Sequence, residues 1–338
     1  MSKADEMISS ASYRSGPNVD TFTEDSCRPK ISIIVLNWNS YHITRDCLNS
    51  LRMLDYPNYE IVLVDNGSTD GSADKLAKEF PEARLIRNSM NLGFSGGNNI
   101  AIENILKSGT DYILLLNNDT VVAPNLLSEL VNAARNRPQA GLLNPKILYH
   151  DAPERIWYAG GQYKLGQSFA THFGMGKLDN GRYNELKEVS FVTGCALLMR
   201  AQAVKQVGPL DEIFFFGLED LDWCMRARSA GFEAVYVPSA VVWHKESYVT
   251  KKNLGKPVKD FYYVRNSILL ARKHFRFWHW PIFFLSMAQH IGYRTLGYLI
   301  RLEPARIQAL YAGIRSGCKT KVLPLGKREP CCSESRNP

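Results

Sequence analysis

EIVLVDNGSTDGSADKLAKEF, residues 60–80, passes from an apolar run through a turn of small polar residues into an amphipathic stretch. Residues 61–64 are uninterrupted Ile, Val and Leu, which suits a strand covered on both faces. NGSTDGS cannot extend that strand, because Asn, Gly, Asp and Ser favour turns. Thr69, Asp70 and Ser72 are candidate caps for a helix over 72–80. A buried strand that feeds a helix through a short turn is one half of a parallel β-α-β unit.

Working outward, the same pattern recurs. ISIIVL (31–36) precedes a helical stretch over 41–54, and ARLIRN (83–88) precedes a helix expected to start near Asn98. YILLLN (112–117) precedes another from about Pro124 to Arg137. The alternation predicts an α/β fold with a mostly parallel, Rossmann-like central sheet flanked by helices. Ligands of such sheets sit beyond the carboxyl ends of the strands. Three polar strand ends mark that rim: Asn37–Asn39, Asp65–Asn66 and Asn117–Asp119.

Beyond Leu142 the pattern loosens. Residues 155–174 are glycine- and aromatic-rich, as in a hairpin or loop, and 189–200 read as one long strand. A short helix over 201–208, a helix over 218–231 ended by Gly231, and two short strands, AVYVP and VVWH, follow. Residues 258–275 look helical. The chain divides into an arm over 1–28, an α/β domain over 29–250 and a helical extension over 251–338.

The formal net charge of +8 suits nucleotides, nucleic acid or an acidic membrane. Nothing else in the sequence supports nucleic acid. Seven cysteines without a CxxC pair suggest buried thiols in a reducing, cytoplasmic setting. The first twenty residues hold no apolar run, so no signal peptide is expected. FWHWPIFFLSMAQHIGYRTLGYLIRL (277–302) is aromatic and apolar, but His279, Gln289, His290 and Arg294 interrupt it too often for a spanning helix. It fits a helix lying in an anionic membrane interface, or one that covers the core or a second copy in a homodimer.

Each candidate site residue has two readings. Asp65 can accept hydrogen bonds from a nucleotide's base or ribose, or bond its own turn. Trp38 can stack on a base or fill the core. In NLGFSGGNN (91–99), Gly93 and Gly96 allow close backbone approach to a phosphate or sugar, flanked by Asn91 and Asn98, or the stretch is a plain loop. It matches neither GxGxxG nor GxxxxGK[ST], which disfavours a dehydrogenase or a P-loop enzyme. Asp119 is the one carboxylate of NND and a candidate ligand for Mg²⁺ or Mn²⁺ completed by diphosphate oxygens and water. Asn117 and Asn118 add hydrogen bonds; an Asx turn is the alternative. In FFFGLEDLDWCMR (214–226), Glu219, Asp220 and Asp222 open a helix, where carboxylates are favoured. Asp222 pairs naturally with Arg226 at i,i+4. Successive helical side chains diverge by about 100°, so one of Glu219 and Asp220 can face a cleft while the other is held by neighbours. His244 alone reads as structural.

Taken in order, SIIVLNWN, IVLVDNGSTDGS, NLGFSGGNN, YILLLNNDTVV, FVTGCALLMRAQAVKQVGPLDE, FFFGLEDLDWCMRARSAGF and VVWH resemble a family-2 glycosyltransferase of the GT-A fold. The similarity is greatest to the bacterial rhamnosyltransferase-like branch that builds surface polysaccharides, and it covers roughly residues 31 to 246. It implies Mg²⁺- or Mn²⁺-dependent, inverting transfer from a nucleotide-diphosphate sugar, with a growing, often lipid-linked glycan as the expected acceptor. The aromatic tail adds the expectation of a cytoplasmic protein peripheral on the inner face of the cell membrane. dTDP-rhamnose is the first candidate donor, with UDP-galactofuranose or a UDP-hexose as alternatives. The resemblance places the nucleotide at Asp65 and the end of the first strand (Asn37, Trp38, Asn39), the metal at NND, and the catalytic base at Asp220, in the ED pair with Glu219. His244 matches a histidine that joins the metal in related galactofuranosyltransferases. One departure is Asn117, where the family's DxD has its first carboxylate; it shifts weight onto His244. A catalytically silent glycan-binding module is the other class, and the retention of Asp119, Asp220 and His244 speaks against it. Every assigned residue precedes Lys256, so a chain ending there is expected to stay soluble and to hydrolyse donor slowly.

Overall fold

Ile31–Asn37 (β1), apolar except for Ser32 and Asn37, is buried along nearly its whole length, as a strand covered on both faces must be. The computed structural model describes residues 28–167, 170–246 and 255–322. The expected N-terminal arm therefore lies almost wholly outside the described residues. After β1 come Tyr41–Leu51 (α1), Tyr59–Asn66 (β2), Ser72–Glu79 (α2), Arg84–Asn88 (β3), Gly93–Ser108 (α3) and Tyr112–Asn117 (β4). The short Thr120–Val122 (β5) and Leu126–Asn136 (α4) follow. β1 pairs in parallel with β2 on one side and β4 on the other, and β2 with β3. Chain order reverses across β1 and β4, which opens a crevice at their carboxyl ends. In register, Asn37 lies opposite Asp65, and Leu36 opposite Asn117, so the three polar strand ends share one rim.

The second half extends the sheet with elements whose sequence signals were weak. Ala140–Tyr149 (β6) is almost wholly buried although it contains Asn144, Pro145 and Lys146. Ile156–Tyr158 (β7), the hairpin of Gly161–Gln162 (β8) with Thr171–His172 (β9), and Lys187–Glu188 (β10) are short. The expected strand over 189–200 shrinks to Ala196–Arg200 (β11), which runs antiparallel to β4 and β6. The buried Asn144 side chain explains the break: it donates to the carbonyls of Thr193 and Ala196 and accepts from Thr193 N–H, taking the place of ladder bonds. Ala201–Val207 (α5) and Glu219–Ser229 (α6) lead to Glu233–His244 (β12). AVYVP and VVWH are thus one strand, irregular between Val237 and Val241 around Pro238, which lacks an N–H. The sheet order is β10-β12-β6-β11-β4-β1-β2-β3, with β5 on β12 and β7 on β6.

The helix expected near Asn98 begins five residues earlier, so the glycine-rich stretch is the first turns of α3 rather than a loop. Its glycines admit protein, not open space. A Cβ on Gly97 would sit 2.7 Å from Leu36 Cδ1, and one on Gly93 only 2.3 Å from the Phe215 carbonyl oxygen. Gly93 also has φ +73°, which an L side chain adopts only under strain.

Three helices close the described chain: Gly255–His274 (α7), Trp280–Ile300 (α8) and Pro304–Lys319 (α9). α7 is built into the α/β body, because Leu269 and Leu270 belong to the main core. Lys273 Nζ lies 2.5 Å from Asp222 and 2.7 Å from Asp211, and His274 Nε2 lies 2.8 Å from Asp222. A chain ending near Lys256 would leave the fully buried Asp222 with Arg226 as its remaining charged partner. The expectation that such a fragment stays soluble and active is therefore revised. α8 and α9 instead pack on α7 in a smaller cluster around Val264, Phe283, Met287 and Leu310. Arg294, which interrupts the apolar run, and Arg306 both bind buried Asp260.

Candidate active site

Pairing of β5 with β12 sets His244 opposite Thr120, directly beside the NND turn. His244 Nε2 comes within 3.2 Å of Asp119 Oδ1. Both residues are buried, at 5% and 6% exposure, yet Asp119 Oδ1 makes no well-aligned hydrogen bond and His244 Nδ1 has no partner. The ring is held edge-on by Trp157, with centroids 4.7 Å apart. Burial opposes a charge on His244, but Cys195 and Asp119 beside it outweigh burial and raise its pKa well above the usual imidazole range. Asn118 donates from Nδ2 to Thr44 Oγ1, which fixes the turn against α1.

Asp119, Asn117 and Asn118 line a cavity together with Trp38, Asn91 and Gly93. Phe215 and Phe216 also line it, and α7 holds them. Phe215 stacks on Tyr262, and Asn266 Nδ2 donates to the carbonyls of Phe216 and Gly217. Sequence reasoning read 214–216 as the apolar lead into a helix and missed these walls; three consecutive Phe beside acidic residues were the available signal.

Asp220 adjoins this cavity through the 193–195 turn without lining it. Its Oδ2 accepts from Gly194 N–H at 2.9 Å and its Oδ1 from Leu221 N–H at 2.8 Å. A Cβ on Gly194 would lie 3.4 Å from both Asp220 Cβ and the Phe94 ring, which lines the cavity, and Asn117 N–H donates to the next carbonyl, that of Cys195. Burial raises the Asp220 pKa, and the two backbone donors only partly oppose it. Glu219 lies deeper, at 6% exposure, and its Oε2 has no hydrogen-bond partner. Burial first, and then Asp220, push the Glu219 pKa well above the carboxylate range. Of the pair, Asp220 is pushed up less and is the more readily ionised. Leu218, immediately before them, sits at φ +70°, a strained conformation that aims this helix start.

The remaining candidates divide. Trp38, Asn91 and Gly93 reach the cavity. Asn37 does not: it is fully buried, its Nδ2 faces Asp65 Oδ1 and Ser72 Oγ, and its Oδ1 accepts from Thr44. Asp65 Oδ2 accepts from Ser68 N–H, which is the turn-forming geometry. Asn39 accepts from Thr69 N–H and adopts φ +50°. Together these three hold the turn after β2 against the end of β1. Asn98 spends its amide on the Phe94 carbonyl one turn back, and Gly96 is buried inside α3 against Leu92. Asn66, read from sequence only as part of a polar strand end, lines the cavity and knits together Asn88, Asn91, Leu92 and Gly93.

The sequence profile of the family described as "Glycosyltransferase like family 2" matches residues 29–259, the stretch that builds this sheet and cavity. The chain belongs to that family. This glycosyltransferase is 29% identical over 258 residues to the N-acetylglucosaminyl-diphospho-decaprenol L-rhamnosyltransferase of Mycobacterium tuberculosis, covering 70% of this chain and 82% of the relative. Among solved structures it resembles S. aureus TarS 1-349 in complex with UDP-GlcNAc, at a TM-score of 0.56 and 17% identity, over 85% of this chain and 81% of that one. It also resembles the mannosyltransferase PcManGT of Pyrobaculum calidifontis in complex with GDP-Man and Mn2+, at a TM-score of 0.52 and 14% identity, over 87% of each chain. These likenesses confirm the GT-A fold expected from the motifs. Among the described residues no helix is long and apolar enough to cross a membrane.

Proposed function

We propose that this glycosyltransferase moves a sugar, rhamnose from a dTDP donor, onto a hydroxyl of a growing glycan carried on a lipid, with inversion at the anomeric carbon. One observation carries the reading: a buried Asp119–His244 pair, with Asp119 lining the cavity and its Oδ1 in no well-aligned hydrogen bond, sits at the same cavity that the Asp220 turn adjoins. The activity of the mycobacterial relative supports rhamnose as the sugar.

The donor set fits a divalent cation, for which His244 would give up the proton that Cys195 and Asp119 favour on it. Adjacent ligands of an octahedral ion at about 2.1 Å lie about 3 Å apart, close to the 3.2 Å between Asp119 Oδ1 and His244 Nε2. No three of His, Cys, Asp and Glu converge among the described residues, so diphosphate oxygens and water would complete the shell. A bound Mg²⁺ or Mn²⁺ would offset the charge that gathers on the departing diphosphate. Asn117, in place of a carboxylate, leaves the protein's share at one carboxylate and one imidazole.

This chain's own residues supply the rest. Asp65, Asn37 and Asn39 fix the turn that receives the nucleotide, and Trp38 offers a ring for the base to stack on. Phe215 and Phe216 exclude water from the transfer site. Asp220 takes the acceptor hydroxyl's proton as the new C–O bond forms, and the electrons of the breaking bond leave with the diphosphate. General-base assistance of this kind contributes roughly 10²–10⁴-fold.

The test is release of nucleoside diphosphate by purified protein from a panel of sugar nucleotides, with Mn²⁺ or with EDTA. The expected result is metal-stimulated release, greatest with dTDP-rhamnose. Preference for UDP-galactofuranose or a UDP-hexose would reassign the sugar, and no release from any donor would leave a binding module. In calorimetry, Asp119→Ala should abolish the metal-dependent part of donor affinity. His244→Ala should weaken it at least about tenfold, the scale reached even by residues that only support a ligand. Donor binding by the unaltered protein that ignores EDTA would overturn the metal assignment.

A further inference from the structure

Of the 21 residues of α8, only Phe283, Met287 and Tyr298 are buried. At about 100° per residue, Leu285, Leu296 and Leu299 project to the opposite side, flanked by Ile282 and Ile300. Those five side chains are between 55% and 75% exposed. The face carries no charged residue. Phe277 and Trp278 extend it at one end and Leu302 at the other, all exposed, and Tyr293 stands out from its middle at 84% exposure. An apolar face of this extent, interrupted on α8 by exposed Gln289, marks an interaction surface.

Charge decides what covers it. Residues 255–322 hold twelve Lys and Arg against two Asp and Glu, a balance of +10 where the whole chain carries +8. The rest of the protein is therefore net acidic, by two charges. Both acids of the helical unit are engaged internally: Asp260 binds Arg294 and Arg306, and Glu303 binds Arg306. Arg276 and Arg301 are exposed at the two ends of α8. A second copy docked on this face would bring two strongly cationic units together. An anionic bilayer would be attracted by the same charges, with each cation near its surface adding on the order of fivefold to affinity.

We propose that α8 lies in the plane of an anionic lipid bilayer, with Leu285, Leu296 and Leu299 in the acyl boundary and Arg276 and Arg301 at the headgroups. The docked helix is rigidly tied to the transfer site. α8 packs on α7, whose Lys273 and His274 grip Asp222 on α6 and whose Asn266 holds the Phe216 loop. A lipid-linked acceptor in the same membrane would meet Asp220 at raised local concentration. That kinetic benefit rests on the proposed transfer reaction; the membrane docking does not.

The experiment is flotation of the full chain with vesicles of phosphatidylcholine alone or mixed with phosphatidylglycerol, at low and high salt and without any sugar nucleotide. The expected result is partition onto the anionic vesicles at low salt, at least about tenfold above that on phosphatidylcholine, and weaker at high salt. Leu285→Glu with Leu296→Glu should cut partition at least tenfold while the thermal midpoint and solution hydrolysis of donor stay unchanged. Arg276→Glu with Arg301→Glu, at exposed positions outside the core, gives a second reading: partition falls and much of its salt dependence disappears. Failure of the unaltered protein to float with anionic vesicles at low salt would overturn the proposal. So would a dimer that Leu285→Glu with Leu296→Glu dissociates while vesicle binding persists.

Discussion

Asp220→Asn lowers sugar transfer at least about a hundredfold and leaves donor affinity nearly intact. The amide keeps the shape, but with one oxygen it can accept from only one of the Gly194 and Leu221 N–H groups, and it cannot take a proton from the acceptor. The loss should appear in kcat and kcat/KM alike, as for an interaction made only in the transition state. Because burial raises the Asp220 pKa, the acid limb of the unaltered enzyme's pH profile should lie above the ordinary aspartate value of about 3.9. Rate is lost as pH falls through that raised pKa, since the base must be ionised to act. Glu219→Gln is the control. Burial and Asp220 hold the Glu219 pKa well above the carboxylate range, which favours its neutral form, so its amide should cost far less than Asp220→Asn. Equal losses from the two substitutions would contradict the division of roles.

Asp222→Ala should destabilise the fold by about 3–5 kcal/mol, the scale for removing one partner of a buried ion pair. Asp222 is fully buried, and Lys273, His274 and Arg226 all converge on its carboxylate. Burial alone would raise its pKa; the bond from His274, then Arg226 and Lys273, outweigh it and hold the carboxylate well below its usual range. A depressed folded-state pKa contributes stability above the unfolded value near 3.9 and loses it as pH falls below. Urea titrations at neutral and acid pH check both parts. The difference between Asp222→Ala and the unaltered protein should shrink from pH 6 towards the acid limit of about pH 3. An unchanged midpoint at neutral pH would mean that α7 is not anchored through this residue.

How much of this was legible in the sequence follows from which interactions are local. The runs 31–36, 61–64 and 113–116 are apolar because both faces of the central strands are covered, so the parallel half of the sheet could be read directly. The ladder of β6 with β11 and β12 could not. β6 contains Asn144 and Lys146, whose polarity masked a buried strand until Asn144 found the Thr193 and Ala196 carbonyls and Lys146 found Asp179. Asp119 announced itself as the one carboxylate of its turn, whereas His244 needed the β5–β12 pairing to bring it there. Asn37, Asn98 and Gly96 misled for a shared reason. Polar and small residues at a strand end serve the protein's own close contacts as readily as a ligand, and sequence does not say which. The place of α7 was hidden for the opposite reason, because Lys273 and His274 meet Asp222 from about fifty positions away.

The central claim is in-line displacement with Asp220 as the single base and no covalent enzyme intermediate. The most direct measurement is proton NMR of the first sugar product released or transferred, recorded before mutarotation or side reactions scramble the anomeric centre. The account predicts an anomer opposite in configuration to the donor, formed by the unaltered protein and lost with Asp220→Asn. A first product that retains the donor's configuration would contradict it, because a single in-line displacement inverts the anomeric centre.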